Sequence, residues 1–235
     1  MLPAGGSAYE LWYRLLNSGF KISAGAGTDA FTNWRGINRI PGSARAYVEV
    51  ESAKNWDTWL ARYREGRNFV TNGPVLLTFH VNGEPMGSVV KAAGARPYRA
   101  HLITEVTSHV PVNRVELLRN GQVIESKTVS GVATAFRLDK EVEVTGSCWF
   151  AARVVGEPSR GFASTDAHSG PVYIQLDGKP VLVKQDIELM IRWVDRFGAL
   201  LEERNNFGPG DNRQRARAMI AQARAHFEGK LAKAQ

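Results

Sequence analysis

The sequence predicts an α+β chain in three parts: closing βα units of a barrel or open sheet over 1–74, an antiparallel Ig-like β-sandwich over 75–178, and a carboxyl-terminal helical hairpin over 179–235. Three observations predict it. Up to Pro74 the apolar periodicity runs helix, strand, loop, strand, helix, strand. From Pro74 onward, short alternating runs are punctuated by Asn-Gly and Asp-Gly, the strongest short-range hairpin signals. After Pro180 the period lengthens to that of helices, and Gly208-Pro209-Gly210 splits the run in two.

Ala8, Trp12, Leu15 and Leu16 recur at helical spacing, and Gly19 stands where a helix ends in a left-handed residue. Phe20 to Ala24 reads as a short buried strand opening into the glycine-rich loop Ala24-Gly25-Ala26-Gly27-Thr28-Asp29-Ala30. Residues 30 to 44, with Trp34, read as a long irregular loop, a feature that is often functional but also serves as passive cover. Arg45 to Glu51 alternates, with Ala46, Val48 and Val50 on one face. Asn55 is placed as the N-cap of a helix whose stripe is Trp56, Trp59, Leu60 and Tyr63, spacing typical of a core-facing surface, and Gly66 ends it. Arg67 to Pro74 is a short strand running into a polar turn.

In the sandwich, Val75 to Val81 alternates into Asn82-Gly83. Tyr98, Ala100, Leu102, Thr104 and Val106 share one face of a long strand, and Val115 to Arg119 pairs with Val123 to Val129 through Asn120-Gly121. Ala133 to Leu138, Cys148 to Val155 and Val172 to Leu176 supply further strands, the last closed by Asp177-Gly178. In the hairpin, Ile187, Met190, Ile191, Val194, Phe197 and Leu201 form one stripe. Asp211 with Gln214 resembles a capping box, and Ala216, Ile220, Ala223, Phe227 and Leu231 form the second stripe, so the pair needs a partner surface, from this chain or a second copy.

Composition narrows the function classes. Apolar content of 43% and charged content of 23% are ordinary for a globular protein, and no apolar run is long enough to span a bilayer. Residues 1–7 lack the basic and apolar regions of a signal peptide. The single cysteine, Cys148, excludes an internal disulfide framework and a cysteine-rich zinc site, and its neighbours Trp149 and Phe150 suggest a buried, inert thiol. Of the net charge of +7, much falls in the last 25 residues, where Arg213, Arg215, Arg217, Arg224, Lys230 and Lys233 face Asp211 and Glu228. No helix-turn-helix or aromatic-basic platform accompanies that helix, so neither a nucleic-acid nor a membrane partner is expected.

Asp29 is the residue on which a functional reading turns. Read alone, it is an Asx-type turn; placed at the lip of a glycine-rich loop after a strand, it is a candidate site carboxylate. Four stretches bear on the choice: Trp12-Tyr13-Arg14-Leu15-Leu16-Asn17-Ser18-Gly19-Phe20, Ala26-Gly27-Thr28-Asp29-Ala30, Gly66-Arg67-Asn68-Phe69-Val70-Thr71-Asn72-Gly73-Pro74 and Ala167-His168-Ser169-Gly170-Pro171-Val172-Tyr173. In order and spacing they resemble the carbaryl-hydrolase-like (CehA/McbA) branch of the PHP superfamily of metallohydrolases, and Ile191-Arg192-Trp193-Val194-Asp195-Arg196 fits as well. The resemblance covers nearly this whole chain and the carboxyl half of a full-length family member.

The resemblance implies that 1–74 closes a PHP-type barrel and that Asp29 is a metal ligand. For the full-length family it implies a divalent metal, Zn or Mn, which activates water to cleave an ester, carbamate or phosphoester bond in a small-molecule substrate. Two departures matter. The superfamily's common late motif is Asp-x-His, whereas Phe31 stands two residues after Asp29, and no His-x-His occurs in the chain. A hydrolytic centre needs at least three protein ligands and an open position. His168, two residues after Asp166, is a further candidate ligand; the competing reading is a turn with His168 bonded to backbone. Arg67 and Asn72 are candidates to hold substrate oxygen by hydrogen bonds. The expected partner is the missing amino-terminal barrel segment, or self-association that covers apolar edges, and family members are often extracytoplasmic. The alternative function is a non-catalytic β-sandwich binding or interaction module.

Overall fold

The computed structural model describes residues 8–30, 33, 40–50, 55–94, 97–129, 135–157 and 164–234. Trp34 and most of the expected 30–44 loop lie outside them, as do residues 1–7. In chain order the elements are α1 (Ala8–Asn17), β1 (Arg45–Val48), α2 (Trp56–Arg64), β2 (Asn68–Thr71), β3 (Val75–Val81), β4 (Glu84–Pro85), β5 (Val89–Ala92), β6 (Tyr98–Ser108), β7 (Val112–Arg119), β8 (Gln122–Thr128), β9 (Ala135–Val144), β10 (Cys148–Gly156), β11 (Asp166–Ser169), β12 (Val172–Leu176), α3 (Lys184–Arg204) and α4 (Asn212–Leu231). They form two compact units, Ile22–Lys179 and Met1–Lys21 with Pro180–Gln235.

The larger unit is a β-sandwich. One sheet runs β4-β3-β6-β9. In the other, β8, β7 and β10 lie side by side, and the far edge of β10 pairs with β12 at one end and β11 at the other. All these pairings are antiparallel, apart from β12 with β5. The alternation read from the sequence puts Leu77, Phe79, Leu102 and Val106 of one sheet against Leu117, Phe150, Val154 and Ile174 of the other. Thr104, fully buried in the apolar row, donates its hydroxyl to the Thr78 carbonyl at 2.8 Å, which removes the cost of burying it.

The turn residues behave as their types require. Asn82-Gly83, Asn120-Gly121 and Asp177-Gly178 all have positive φ at both positions, the type I′ geometry. Asn82 and Asn120 also strap their turns to a neighbouring strand in the same way. The Asn82 N–H donates to His101 O at 2.9 Å while its Oδ1 accepts from His101 N–H at 2.7 Å. Asn120 does the same to Trp149, at 3.0 and 2.9 Å.

β1 and β2 add to the sandwich rather than standing apart from it. β2 pairs antiparallel with β11, with Val70 opposite His168, and β1 pairs antiparallel with β2. The parallel pairing of a βα unit is not seen among the described residues of 8–74. α2 is capped as expected, with Asn55 Oδ1 accepting from the Thr58 N–H at 2.8 Å. It ends at Gly66 (φ +80°) with the paired bonds of a Schellman turn, Gly66 to Tyr63 and Arg67 to Arg62, each 3.0 Å. Its aromatic stripe is not core: no residue of α2 is buried. Instead Trp56, Trp59 and Tyr63 stack on one another, with ring centroids 5.2 Å apart and planes within 12°.

In the smaller unit, α1 closes in a second Schellman turn at Gly19, with bonds from Gly19 to Leu16 and from Phe20 to Leu15. That corrects the expected strand at Phe20 to Ala24. Phe20 follows the cap and packs with Leu15 in the helical cluster around Ile187, Met190 and Phe227, and no strand forms there. Arg14 and Asn17 grip the Asp186 carboxylate in the first turn of α3, at 2.6 and 2.7 Å. The hairpin itself is joined by Arg217 forked onto Glu202 and by Arg224 on Asp195. The expected capping box at Asp211 does not form, because Asp211 makes no side-chain cap bond and α4 starts from a turn.

Candidate functional site

The Asp29 loop is held at several points. Ser23 Oγ donates to Tyr63 O at 2.5 Å, and fully buried Asn68 donates Nδ2 to Ala24 O at 2.7 Å. Thr28 Oγ1 both donates to Ala44 O and accepts from Ala44 N–H, each at 3.1 Å. Asp29 itself is exposed in the left-handed region (φ +51°), where Asp is among the few non-glycine residues tolerated. Its carboxylate makes no hydrogen bond or ion pair with the described residues, so the Asx-type bond is not formed.

Arg67 and Asn72 flank β2, and both are engaged in structural bonds. Arg67 pairs with Glu65 at 3.2 Å. The Asn72 amide is used at both ends: Nδ2 donates to Ser164 O at 2.9 Å, and Oδ1 accepts from the Asp166 N–H at 2.7 Å. Thr71 completes this clamp by donating Oγ1 to Asp166 O at 2.8 Å. The stretch Thr71-Asn72-Gly73 therefore pins the entry to β11.

Asp166 and His168 do share one side of a strand, β11. His168 is fully buried, with Nδ1–H donating to Ser169 O at 2.8 Å. Strand register lines it up with Arg153 on β10 and Glu116 on β7, on the sheet face opposite the sandwich core. Glu116, 4% exposed, accepts from Arg114 on one oxygen and from Arg153 on the other, at 2.6 and 2.7 Å. Burial alone would raise the Glu116 pKa, but those guanidinium bonds outweigh it and hold the carboxyl below its usual range. Burial, reinforced by the Arg153 charge, lowers His168 to about 4 and keeps it neutral near pH 7. Burial likewise raises Cys148 to about 11, as suits an inert thiol, and pushes up Tyr173.

Three glycines let these stretches meet. A Cβ on Gly87 would lie 2.2 Å from Glu65 O, and one on Gly170 would lie 2.3 Å from Gly66 O. Gly66 occupies the third corner, and the contact is sealed by Gly170 N–H to Asn68 O at 2.7 Å and Gly87 N–H to Pro171 O at 2.9 Å. The third and fourth resembling stretches are thus bonded to one another; the second is tied to Ala44 through Thr28, with Asn68 of the third holding Ala24 two residues before it, while the first lies in the helical unit.

What they form is a braced junction. Among the described residues no group of three His, Cys, Asp or Glu side chains converges to hold a metal, so these residues do not by themselves fit a hydrolytic ion. The sequence reading missed Asn68, Thr28 and the Glu116–Arg153 pair. A polar residue inside an apolar run is the only local signal for Glu116; nothing nearby in sequence announces the partners of Asn68 and Thr28.

No family profile and no curated protein matches the chain. Among solved structures it is similar to fibronectin(III)-like modules of CbhA from Clostridium thermocellum, at 17% identity and TM-score 0.27, over 45% of this chain and 98% of that one. It is also similar to the C-terminal domain of Wzt, at 10% identity and TM-score 0.30, over 47% and 78%. A third is a Jonesia denitrificans lytic polysaccharide monooxygenase, at 10% identity and TM-score 0.26, over 57% and 79%. At these identities the likeness concerns the fold alone.

Proposed function

We propose that this chain is the carboxyl-terminal portion of a PHP-type metal-dependent hydrolase, a frame that carries one late ligand, Asp29, to a centre whose other ligands lie outside it. The reading rests on the sequence resemblance. One observation supports it: Ser23, Ala24 and Thr28 are fastened by hydrogen bonds, yet the carboxylate they present is left exposed and unbonded among the described residues. In this reading Arg67, Asn72 and His168 are bracing groups. By itself the chain cleaves no ester, carbamate or phosphoester.

The test begins with the DNA before the Met1 codon, read in all frames; it should encode a barrel segment bearing His-x-His. Expressed with that segment, the chain should retain Zn or Mn and hydrolyse p-nitrophenyl esters or bis(p-nitrophenyl) phosphate, and Asp29→Ala should abolish both. Alone, it should hold less than stoichiometric metal. Tight binding of two ions by the chain alone, or a paired segment whose metal content ignores Asp29→Ala, would overturn the proposal.

The second reading is a non-catalytic sandwich interaction module. It is favoured by the engagement of Asn72 and His168 in structural bonds. A glycan platform is a poor form of it, because Trp149, the only Trp within 75–178, is fully buried.

A further inference from the structure

The two seams of the α3–α4 hairpin differ in charge. On one side the arginines are neutralised within the hairpin: Arg217 and Arg213 meet Glu202 at 2.7 and 3.9 Å, and Arg224 meets Asp195 at 2.9 Å. On the other side Trp193, Phe197 and Leu201 of α3 and Ala216, Met219 and Ala223 of α4 line an open apolar groove of about 470 Å³. Phe197 is 54% and Met219 70% exposed, high values for large apolar side chains. The groove runs from Trp193 to Leu201, about 12 Å or two helical turns.

One end of this groove is basic. Arg204 stands seven residues after Phe197 and Arg215 four before Met219, so each shares the face of its apolar neighbour and both lie near the hairpin tip. Neither has an acidic partner among the described residues. The charges that could have been paired inside the hairpin were paired on the opposite seam.

We infer that this groove receives an acidic amphipathic helix of a partner protein, its apolar residues at i, i+3 or i+4 and i+7 seated between α3 and α4 and its carboxylates on Arg204 and Arg215. Shape and charge choose this occupant. The groove is an open concavity between two helices, lined also by Val194 and Ile220, so a third helix can lie along it, whereas a flat lipid surface would reach only its rims. A second copy brings the same two arginines, so like charge faces like when the hairpin tips lie together. The inference is independent of the hydrolase reading.

The experiment uses the full chain and two synthetic helical peptides with leucines in an i, i+3, i+4, i+7 pattern, one with glutamates at the remaining positions and one with lysines. The glutamate peptide should bind about tenfold or more tightly than the lysine peptide, with a difference that shrinks as salt is raised. Met219→Glu, at an exposed position that leaves folding intact, should weaken it about tenfold or more, and Arg204→Glu with Arg215→Glu should remove the preference between peptides. Arg217→Gln, on the opposite seam, should change neither. Equal binding of the two peptides, or none, overturns the inference. So does binding to phosphatidylglycerol vesicles that Met219→Glu abolishes while the peptide is ignored, or a dimer in sedimentation velocity that the same substitution dissociates.

Discussion

Asn72 and Asp166 exchange two hydrogen bonds across 94 residues of sequence: the Asn72 N–H donates to Asp166 O at 3.1 Å, and Asp166 N–H donates to Asn72 Oδ1 at 2.7 Å. With the Asn72 amide also donating to Ser164 O, the side chain acts as a strut between the β2–β3 turn and β11. Asn72→Ala leaves a donor and an acceptor without partners in a half-buried place, and it should cost about 1–3 kcal/mol in urea unfolding. Asn72→Asp keeps the acceptor for Asp166 N–H but sets a carboxylate oxygen against Ser164 O, so it should not restore the native stability. An unchanged midpoint in the alanine variant would show that the strut carries no stability.

His168 makes stability depend on acid. Its folded pKa is lowered to about 4, while an unfolded histidine titrates near 6.5. Between those values the unfolded chain binds a proton that the folded chain does not, so stability is full above about pH 6.5 and falls as the pH drops toward 4. The loss should be on the order of 3 kcal/mol. Glu116, whose folded pKa is lowered below 4.5, adds its own loss at more acidic pH. Urea midpoints from pH 7 to 4 should slope downward in the native chain and lie nearly flat over that window in His168→Gln.

Removing the Glu116 carboxylate takes away the charged acceptor that Arg114 and Arg153 share. Arg153 is the more costly of the two, since it is only 24% exposed and Arg114 is 47% exposed and reaches water. Glu116→Gln should therefore destabilise by about 2–3 kcal/mol, below the full penalty of a wholly buried pair. Pairing it with Arg153→Met in a double-mutant cycle should recover part of the loss. A cycle with no coupling would show that the two side chains do not act together.

The glycine junction makes a sharper demand than the glycine-rich loop. Gly87→Ala drives a methyl onto the Glu65 carbonyl and should cost about 3 kcal/mol or more, or yield insoluble protein. Gly27→Ala meets nothing within 4 Å, and its cost should stay within about 0.5 kcal/mol. Thermal melts of the two variants side by side decide it. If they lose stability equally, the close approach of Gly87 to residues 65–67 is not the constraint.

These contrasts mark what could be read from the chain. Asn82-Gly83 and Asn120-Gly121 announced their turns because a positive φ at two successive positions admits few residue types. Alternation in Val75–Val81 and Tyr98–Val106 named the inward faces, since the period of a strand is fixed by its geometry. Periodicity does not name partners. Nothing in Asn68–Thr71 says that it pairs antiparallel with β11, and Phe20 to Ala24 is too short an apolar run to distinguish a strand from a helix cap with its following residue. The α2 stripe was legible as aromatic at helical spacing, but the spacing cannot tell rings that fill a core from rings that stack on each other. In the candidate site, Asp29 and His168 stood out as residue types, whereas the bonds of Asn72 and Asn68 reach across 92 and 44 residues and leave no local trace.

The antiparallel seam between β2 and β11 also sets a timetable. Thr71 and Asp166, bonded at 2.8 Å, are 95 residues apart, so on a ribosome adding about 5–20 residues per second β2 emerges some 5–20 s before the strand it will pair with. During that interval the edge of β2 that will meet β11 has no partner strand. The first-made strands of this unit wait for β11, as β5 in turn waits for β12, so the sheet closes only when its carboxyl end has been made.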